Sequence, residues 1–194
     1  MDEVKFILRT IGTRNISVLV KNIPGLIIAN DSDVEGHNGM TNFINACRIA
    51  GDGPAVHLED DIVLCGNFYE RITAIINEHP DDVIQFFSMR KDDLTIGTRY
   101  IDGSRFMMNQ CFYTPPGFSR EIVEYYERGW KGIVKNPTGY DLMMADLMKE
   151  KHMKYLNIVP NLVNHKIQKS IINPRRPMKN RQSLTFEGPY DVED

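Results

Sequence analysis

Three consecutive carboxylates, Glu59, Asp60 and Asp61, interrupt an apolar stretch that runs from Ala55 to Leu64. The apolar flanks predict a buried strand, in which adjacent acids repel one another and lose their hydration unless a cation neutralises them. A hard divalent ion, Mg²⁺ or Mn²⁺, prefers oxygen ligands and commonly shares them with a bound phosphate. We therefore predict a metal site where this strand ends at the edge of a sheet.

The rest of the 194-residue chain alternates short apolar runs with segments of helical period. This alternation is typical of a single α/β domain with a mostly parallel, Rossmann-like sheet flanked by helices. We place the domain in residues 1–173, followed by a tail, 174–194, that is first basic and then acidic and packs on or near the site. The predicted helices cover 39–50, 68–78, 119–128 and 139–148, and a mobile loop is expected over 89–105.

Composition narrows the class of protein. Hydrophobic residues make up 42% of the chain and charged residues 25%, which is ordinary for a globular domain and argues against disorder. The apolar runs are much shorter than about 18 residues, so we expect no membrane span. The three cysteines form no C-x-x-C pair, and we expect a cytoplasmic protein.

Charged side chains are predicted to meet at the end of the acidic strand. Side chains alternate along a strand, so Glu59 and Asp61 should lie on one side and share a cation while Asp60 lies on the other. Arg9 and Arg14 follow the first predicted strand, at the sheet edge where open α/β folds bind ligands. The alternative is that both arginines are ordinary surface residues.

The segment from Ala55 to Phe68, with a small-residue helix and a Gly/Pro loop before it, resembles the core of GT-A glycosyltransferases. The likeness is to lipopolysaccharide-type and small bacteriophage enzymes whose strand ends in L-E-D-D. In that fold the triplet is a variant of the D-x-D motif, which holds Mn²⁺ or Mg²⁺ against the diphosphate of a nucleotide sugar. The resemblance implies that Asp61 binds the metal directly, with Glu59 and Asp60 contacting the ribose, the sugar or metal-bound water.

A second segment, 160–170, looks like the closing stretch of many GT-A enzymes, where P-x-L-V is followed by His and then Ser. The resemblance implies that His165 completes the metal shell and that Lys169 and Ser170 contact the donor. The family pattern is more often H-x-G-x-x-S, and this chain lacks that Gly. The alternative is a histidine whose ring is satisfied by backbone at the end of a strand.

Asp141 stands at the start of a predicted helix, where inverting GT-A enzymes carry the carboxylate that takes a proton from the acceptor hydroxyl. The alternative is a capping box made with Thr138.

Beyond the last strand the chain is basic. This tail could clasp a diphosphate, lie along DNA or be solvated, and its cations are Lys166, Lys169, Arg175, Arg176, Lys179 and Arg181.

The resemblance implies a metal-dependent transferase that moves a sugar from a nucleotide diphosphate donor, most simply a UDP-sugar, to a hydroxyl acceptor. Acceptors in this class include glycans, lipids and the hydroxymethylated pyrimidines of phage DNA, and a phage enzyme would act in the host cytoplasm. Three alternatives remain: a metal-dependent nucleotidyltransferase, a nuclease that uses His57 and the acidic triplet, and a non-catalytic module that binds Ca²⁺. The oligomeric state is not readable.

Overall fold

A computed structural model describes residues 3–31, 38–131, 139–168 and 181–188. The strands are β1 (Lys5–Thr10), β2 (Ile27–Asn30), β3 (Ala55–Glu59), β4 (Ile62–Leu64), β5 (Val83–Gln85), β6 (Arg99–Asp102), β7 (Cys111–Thr114), β8 (Lys154–Asn157) and β9 (Val163–His165). The helices are α1 (Ser17–Asn22), α2 (Gly39–Ala50), α3 (Phe68–Glu78), α4 (Asp93–Ile96), α5 (Phe118–Tyr125) and α6 (Tyr140–Glu150). Several predicted residues lie outside the described ranges: Thr138, Lys169, Ser170, Arg175, Arg176 and Lys179.

Seven strands form the main sheet in the order β2-β1-β3-β7-β5-β8-β6. Strands β1, β2, β3, β5 and β8 run in one direction, while β6 and β7 run in the other. The predicted α/β architecture with flanking helices is confirmed. The sheet is mostly parallel, as predicted, but it is also mixed, because β7 returns between β3 and β5 and is antiparallel to both.

Helices cover both faces of this sheet. Side chains of α1 and α3 pack with Phe6, Leu8 and Leu58 in one core cluster. On the other side, α2, α5 and α6 pack around Phe43 and Phe112. Because alternate strand residues point to opposite faces, the nearly continuous apolar runs of β1 and β3 fill both layers. Among the described helices, none combines the length and the apolar character that crossing a membrane requires.

The acidic triplet does not continue a single strand, and the predicted alternation of its side chains is wrong. Strand β3 ends at Glu59, residues 60 and 61 form a turn, and β4 leaves the main sheet. Strand β4 instead pairs antiparallel with β9 in a separate two-stranded sheet. The turn therefore lets Asp60 and Asp61 approach the same partners, which an extended strand would have prevented.

The predicted loop over 89–105 contains ordered elements, namely α4, the edge strand β6 and a 3-10 turn at Gly103–Arg105. Its polar residues pair with each other. The carboxylate of Asp93 is buried and lies 2.9 Å from Arg99 Nη1 and 3.2 Å from Asn157 Nδ2. Most polar side chains of the segment are exposed, and the buried Asp93 carboxylate links α4 to β6 and β8.

Candidate functional site

The acidic turn lies at the carboxyl-terminal ends of β1 and β3, where Arg9 and Glu59 are register partners. Asp60 and Asp61 are 4% and 6% exposed, so the turn is enclosed by protein. Buried carboxylates need compensating charge or hydrogen bonds, and the surrounding side chains provide both. Two groups of contacts result, one on Asp60 and Asp61 and one on Glu59.

Arg14 bridges the two aspartates. Its Nη1 is in close contact with Asp60 Oδ1 and lies 3.2 Å from Asp61 Oδ2. The second oxygen of Asp60 accepts a hydrogen bond of 2.6 Å from the hydroxyl of Thr10. Burial opposes the charge of Arg14, but the carboxylates of Asp61 and Asp60 raise its pKa overall. A permanent guanidinium charge therefore neutralises much of the turn.

Asp61 also meets His165, which comes from the distant strand β9. The β4–β9 pairing places Ile62 opposite His165, so Asp61 and the imidazole are neighbours. His165 Nε2 lies 3.1 Å from Asp61 Oδ2, and both side chains are buried. His165 Nδ1 is 2.6 Å from the carbonyl oxygen of Lys166, which can only accept, so Nδ1 carries the hydrogen. Nε2 then faces Asp61 Oδ2, and a hydrogen on this nitrogen would donate to the carboxylate.

The electrostatics keep Asp61 ionised. Burial alone would raise its pKa, but the hydrogen bond and charge of His165, together with Arg14 and Arg181, lower the pKa to about 2. Asp61 Oδ1 is buried and has no hydrogen-bond partner among the described residues. The turn therefore retains a charged oxygen that is free to bind a ligand.

Glu59 takes part in a second group of contacts. Its Oε1 accepts a hydrogen bond of 2.6 Å from the hydroxyl of Tyr140 and lies 3.6 Å from Arg9 Nη2. Arg9 also donates to the backbone oxygen of Asn109 at 2.6 Å. Its guanidinium carbon lies 5.3 Å from the ring centres of both Phe43 and Tyr140. Arg9 is thus a buried part of the site rather than a surface residue.

Asp141 follows Tyr140 on α6 and faces the same group. Burial, followed by the nearby charge of Glu59, raises the pKa of Asp141 to about 6, while Arg9 and backbone N–H groups of Met108 and Asn109 act in the opposite direction. Asp141 therefore lies close to the segment before β7, and its Oδ1 has no hydrogen-bond partner among the described residues.

The structure brings most of the predicted site residues to one sheet edge. Asp60, Asp61, Arg14 and His165 form one contact group, and Glu59 is joined to it through the turn. Glu59 contacts Tyr140 and Arg9 rather than the imidazole of His165. Within the described ranges, no three His, Cys, Asp or Glu side chains are grouped as a ligand set for a metal ion.

Sequence reasoning missed three contributors. Thr10, Tyr140 and Gln182 each bond a predicted site residue or its backbone. Thr10 ends β1 and Tyr140 immediately precedes Asp141, so proximity in sequence was a usable signal for these two. Nothing in the sequence pattern indicates Gln182, whose role depends on how the C-terminal segment packs.

Asp61 and His165 carry the oxygen and nitrogen donors that Mn²⁺ accepts. The 3.1 Å between Asp61 Oδ2 and His165 Nε2 is a hydrogen-bond distance and also brings the two donors close enough to serve one cation. The backbone bond at Nδ1 is the outer contact that commonly orients a metal-binding histidine. Water and substrate phosphate complete such shells in many proteins.

Comparison with known proteins identifies a fold relative. The chain is similar to A197 from STIV, whose crystal structure it matches with a TM-score of 0.51 and 15% identity over 98% of each chain. At this identity the similarity shows the shared fold alone. No protein-family model matches the chain, and no match was found among curated proteins.

Proposed function

We propose that this protein is a metal-dependent glycosyltransferase of GT-A type that uses a nucleotide diphosphate sugar. The observation that carries the proposal is the contact between Asp61 and His165. The two residues come from the two separate segments that resemble GT-A motifs, and His165 Nε2 lies 3.1 Å from a carboxylate oxygen of Asp61 while its Nδ1 is bonded to backbone. A structural histidine satisfied by backbone alone would not need this partner.

Asp61 and His165 would hold Mn²⁺ or Mg²⁺. When bound, the ion would neutralise the diphosphate and favour its departure. Arg14 already faces the acidic turn and is partly exposed, so its guanidinium can bind a phosphate oxygen and add to this neutralisation. Thr10 holds Asp60 in place through the hydroxyl bond, and Asp60 in turn orients Arg14.

Asp141 is the proposed base for the acceptor hydroxyl. A carboxyl whose pKa is about 6 is mainly ionised at pH 7 and still basic enough to take a proton. The backbone N–H groups of Met108 and Asn109 lie near the carboxylate, and Oδ1 has no hydrogen-bond partner among the described residues. The Glu59–Tyr140 bond and Arg9 hold the neighbouring carboxylate of Glu59 in place.

The proposed donor is a UDP-sugar, and the proposed acceptor is a hydroxyl on a glycan, a lipid or a hydroxymethylated pyrimidine of DNA. The decisive experiment incubates the protein with Mn²⁺ and a panel of nucleotide sugars, with and without these acceptors. Release of nucleoside diphosphate is measured, and pyrophosphate release from nucleoside triphosphates is measured in parallel. D61N and D141N variants accompany the wild type.

We expect one donor to release its nucleoside diphosphate in a metal-dependent reaction that D61N abolishes. The D141N variant should still bind the donor but transfer the sugar at least about 100-fold more slowly, which is the usual loss when a general base is removed. Pyrophosphate release from a triphosphate would select the nucleotidyltransferase instead. Absence of both donor binding and product release across the panel would refute the proposal.

A further inference from the structure

The C-terminal segment runs beside β9, the strand that carries His165. We call residues 181–187 the C-terminal clamp. The amide oxygen and the amide nitrogen of Gln182 form hydrogen bonds to two consecutive residues of β9. Its Oε1 accepts a hydrogen bond of 2.8 Å from Asn164 Nδ2, and its Nε2 donates to the backbone oxygen of His165.

Two further clamp residues bond the chain just before and within β9. The backbone N–H of Ser183 donates to Asn164 Oδ1 at 2.9 Å, and its hydroxyl donates to Asn161 Oδ1 at 2.7 Å. The backbone N–H of Asn161 donates to the hydroxyl of Thr185 at 3.3 Å. Asn161 also contacts the segment that follows β5 of the main sheet, because its Oδ1 accepts a hydrogen bond from Ser88 N at 2.9 Å.

The clamp is anchored at one end and reaches the acidic turn at the other. Phe186 is 6% exposed and belongs to the core cluster under β3 and α3. At the opposite end, the positive charge of Arg181 acts on Asp61 and helps to lower its pKa. One short segment therefore connects the hydrophobic core with the group of charges around the predicted metal.

These contacts have a physical reason. Strand β9 has three residues and pairs only with β4 within its two-stranded sheet. A two-stranded sheet of this length is marginal by itself, and a shift of one residue in register would turn His165 to the opposite side. The clamp supplies hydrogen bonds that oppose such a shift, and these bonds involve the very residues that define the register.

We propose that the C-terminal clamp positions His165 against Asp61, with Gln182 as its central positioning residue. The inference deepens the proposed function because it concerns the same metal site. It assigns Gln182 no contact with substrate or metal. Its effect on the site passes through the backbone of His165 and the side chain of Asn164.

The test compares wild type with Q182M, which keeps the length of the side chain but loses both hydrogen bonds. T73V is the matched control, because it removes one side-chain bond to backbone in α3, from Thr73 to the oxygen of Tyr69. Three quantities are measured on the full chain: the melting temperature, the Kd of Mn²⁺ by calorimetry, and the NMR signal of the His165 Nδ1–H in the metal-free protein. S183A serves as a milder second variant if Q182M does not fold.

We expect Q182M to weaken Mn²⁺ binding about tenfold or more, the usual effect of losing an outer-shell contact. Its His165 Nδ1–H signal should shift or broaden beyond detection, whereas T73V should change neither the Mn²⁺ affinity nor this signal. An unchanged His165 signal in folded Q182M would contradict the proposal that the clamp positions His165. If the wild type binds no Mn²⁺, the proposed function fails at its metal site. The NMR signal would still test whether the clamp positions His165.

Discussion

Two buried histidines, His57 and His165, show how differently the same side chain is used in this fold. They are 0% and 1% exposed, so burial does not distinguish them. His57 lies within β3, stacked on Phe112 at 4.9 Å between ring centres, with the hydroxyls of Ser119 and Thr114 at 3.2 and 3.3 Å from its Nε2. His165 instead faces a carboxylate.

The difference lies in the charge of the partner. Burial, with a smaller effect from the charge of Arg9, lowers the pKa of His57 to about 3, so the ring is neutral and remains part of the core. His165 lies beside an ionised Asp61 whose second oxygen is free among the described residues. His57 thus meets hydroxyl groups through Nε2, whereas His165 meets a carboxylate oxygen that Arg14 also contacts.

The largest expected effect comes from removing the charge of that partner. D61N should lose Mn²⁺-dependent donor turnover by at least about 100-fold, because the amide cannot replace an anionic ligand. The control is D93N, which alters another buried aspartate that is paired with an arginine and an asparagine. Turnover and Mn²⁺ affinity are measured for both. Equal losses in the two variants would show that buried charge in general, and not a metal at the turn, supports activity.

The second prediction contrasts the histidines directly. H165Q should weaken Mn²⁺ binding at least about tenfold while H57Q leaves that affinity within about twofold. H57Q should instead destabilise the fold by about 1–3 kcal/mol, because it breaks a buried stacked and hydrogen-bonded group. Calorimetry with Mn²⁺ and denaturant unfolding measure the two effects. Loss of Mn²⁺ affinity in H57Q would assign His57 to the site and revive the nuclease alternative.

The elements were predictable where local patterns dominate. Helices over 39–50 and 68–78 have the predicted bounds, since their apolar periodicity agrees with the core they face. The strand end at Glu59 was visible as a break in hydrophobicity, but the turn was not. Its geometry depends on β4 pairing with β9, and nothing local in the triplet encodes a partner more than 100 residues away.

The candidate site was predictable only in part, for the same reason. Charged residues such as Asp61 and Arg14 stand out in the sequence because their burial needs an explanation. Tyr140 and Gln182 do not stand out, since a tyrosine or glutamine is unremarkable until its partner is known. The prediction over 89–105 missed α4 and the edge strand β6, because the segment is polar and mostly exposed and the pairing of Asp93 with Arg99 is not visible in the sequence.

A third prediction separates the two histidine regions by pH. Because the pKa of His57 is about 3 when folded and near 6.5 when unfolded, protons bind the unfolded chain preferentially between these values. Stability should therefore fall as the pH drops below about 6.5, by at most about 1.4 kcal/mol per unit. The depressed pKa of Asp61, about 2 against 3.8, gives a loss only below about pH 4. H57F should remove most of the stability loss between pH 6.5 and 4 and should leave the loss below about pH 4. Urea unfolding from pH 7.5 to 3 measures both.

If H57F shows the wild-type slope between pH 6.5 and 4, the proton uptake belongs to other groups and His57 is not held neutral by its surroundings. The phenyl ring can keep the stack on Phe112, and the hydroxyls of Thr114 and Ser119 already bond each other at 2.8 Å. The variant should therefore fold. H165F would be a poor substitute in this experiment, because it would leave Asp61 without its neighbour.

The smallest expected effect concerns Arg14, the cation that the chain itself supplies to the acidic turn. Arg14 Nη1 and His165 Nε2 both approach Asp61 Oδ2, at 3.2 and 3.1 Å, so the guanidinium would compete with a metal ion held by Asp61 and His165. Removing the guanidinium in R14Q should strengthen Mn²⁺ binding to the nucleotide-free protein by about two- to tenfold, as expected for losing one nearby like charge. Donor affinity should fall, because the same guanidinium is proposed to bind phosphate.

Calorimetry with Mn²⁺ alone and with a nucleoside diphosphate measures both effects. The control is R120Q, which removes an exposed arginine paired with Asp52. Weaker Mn²⁺ binding in R14Q would mean that Arg14 organises the turn for the metal rather than competing with it.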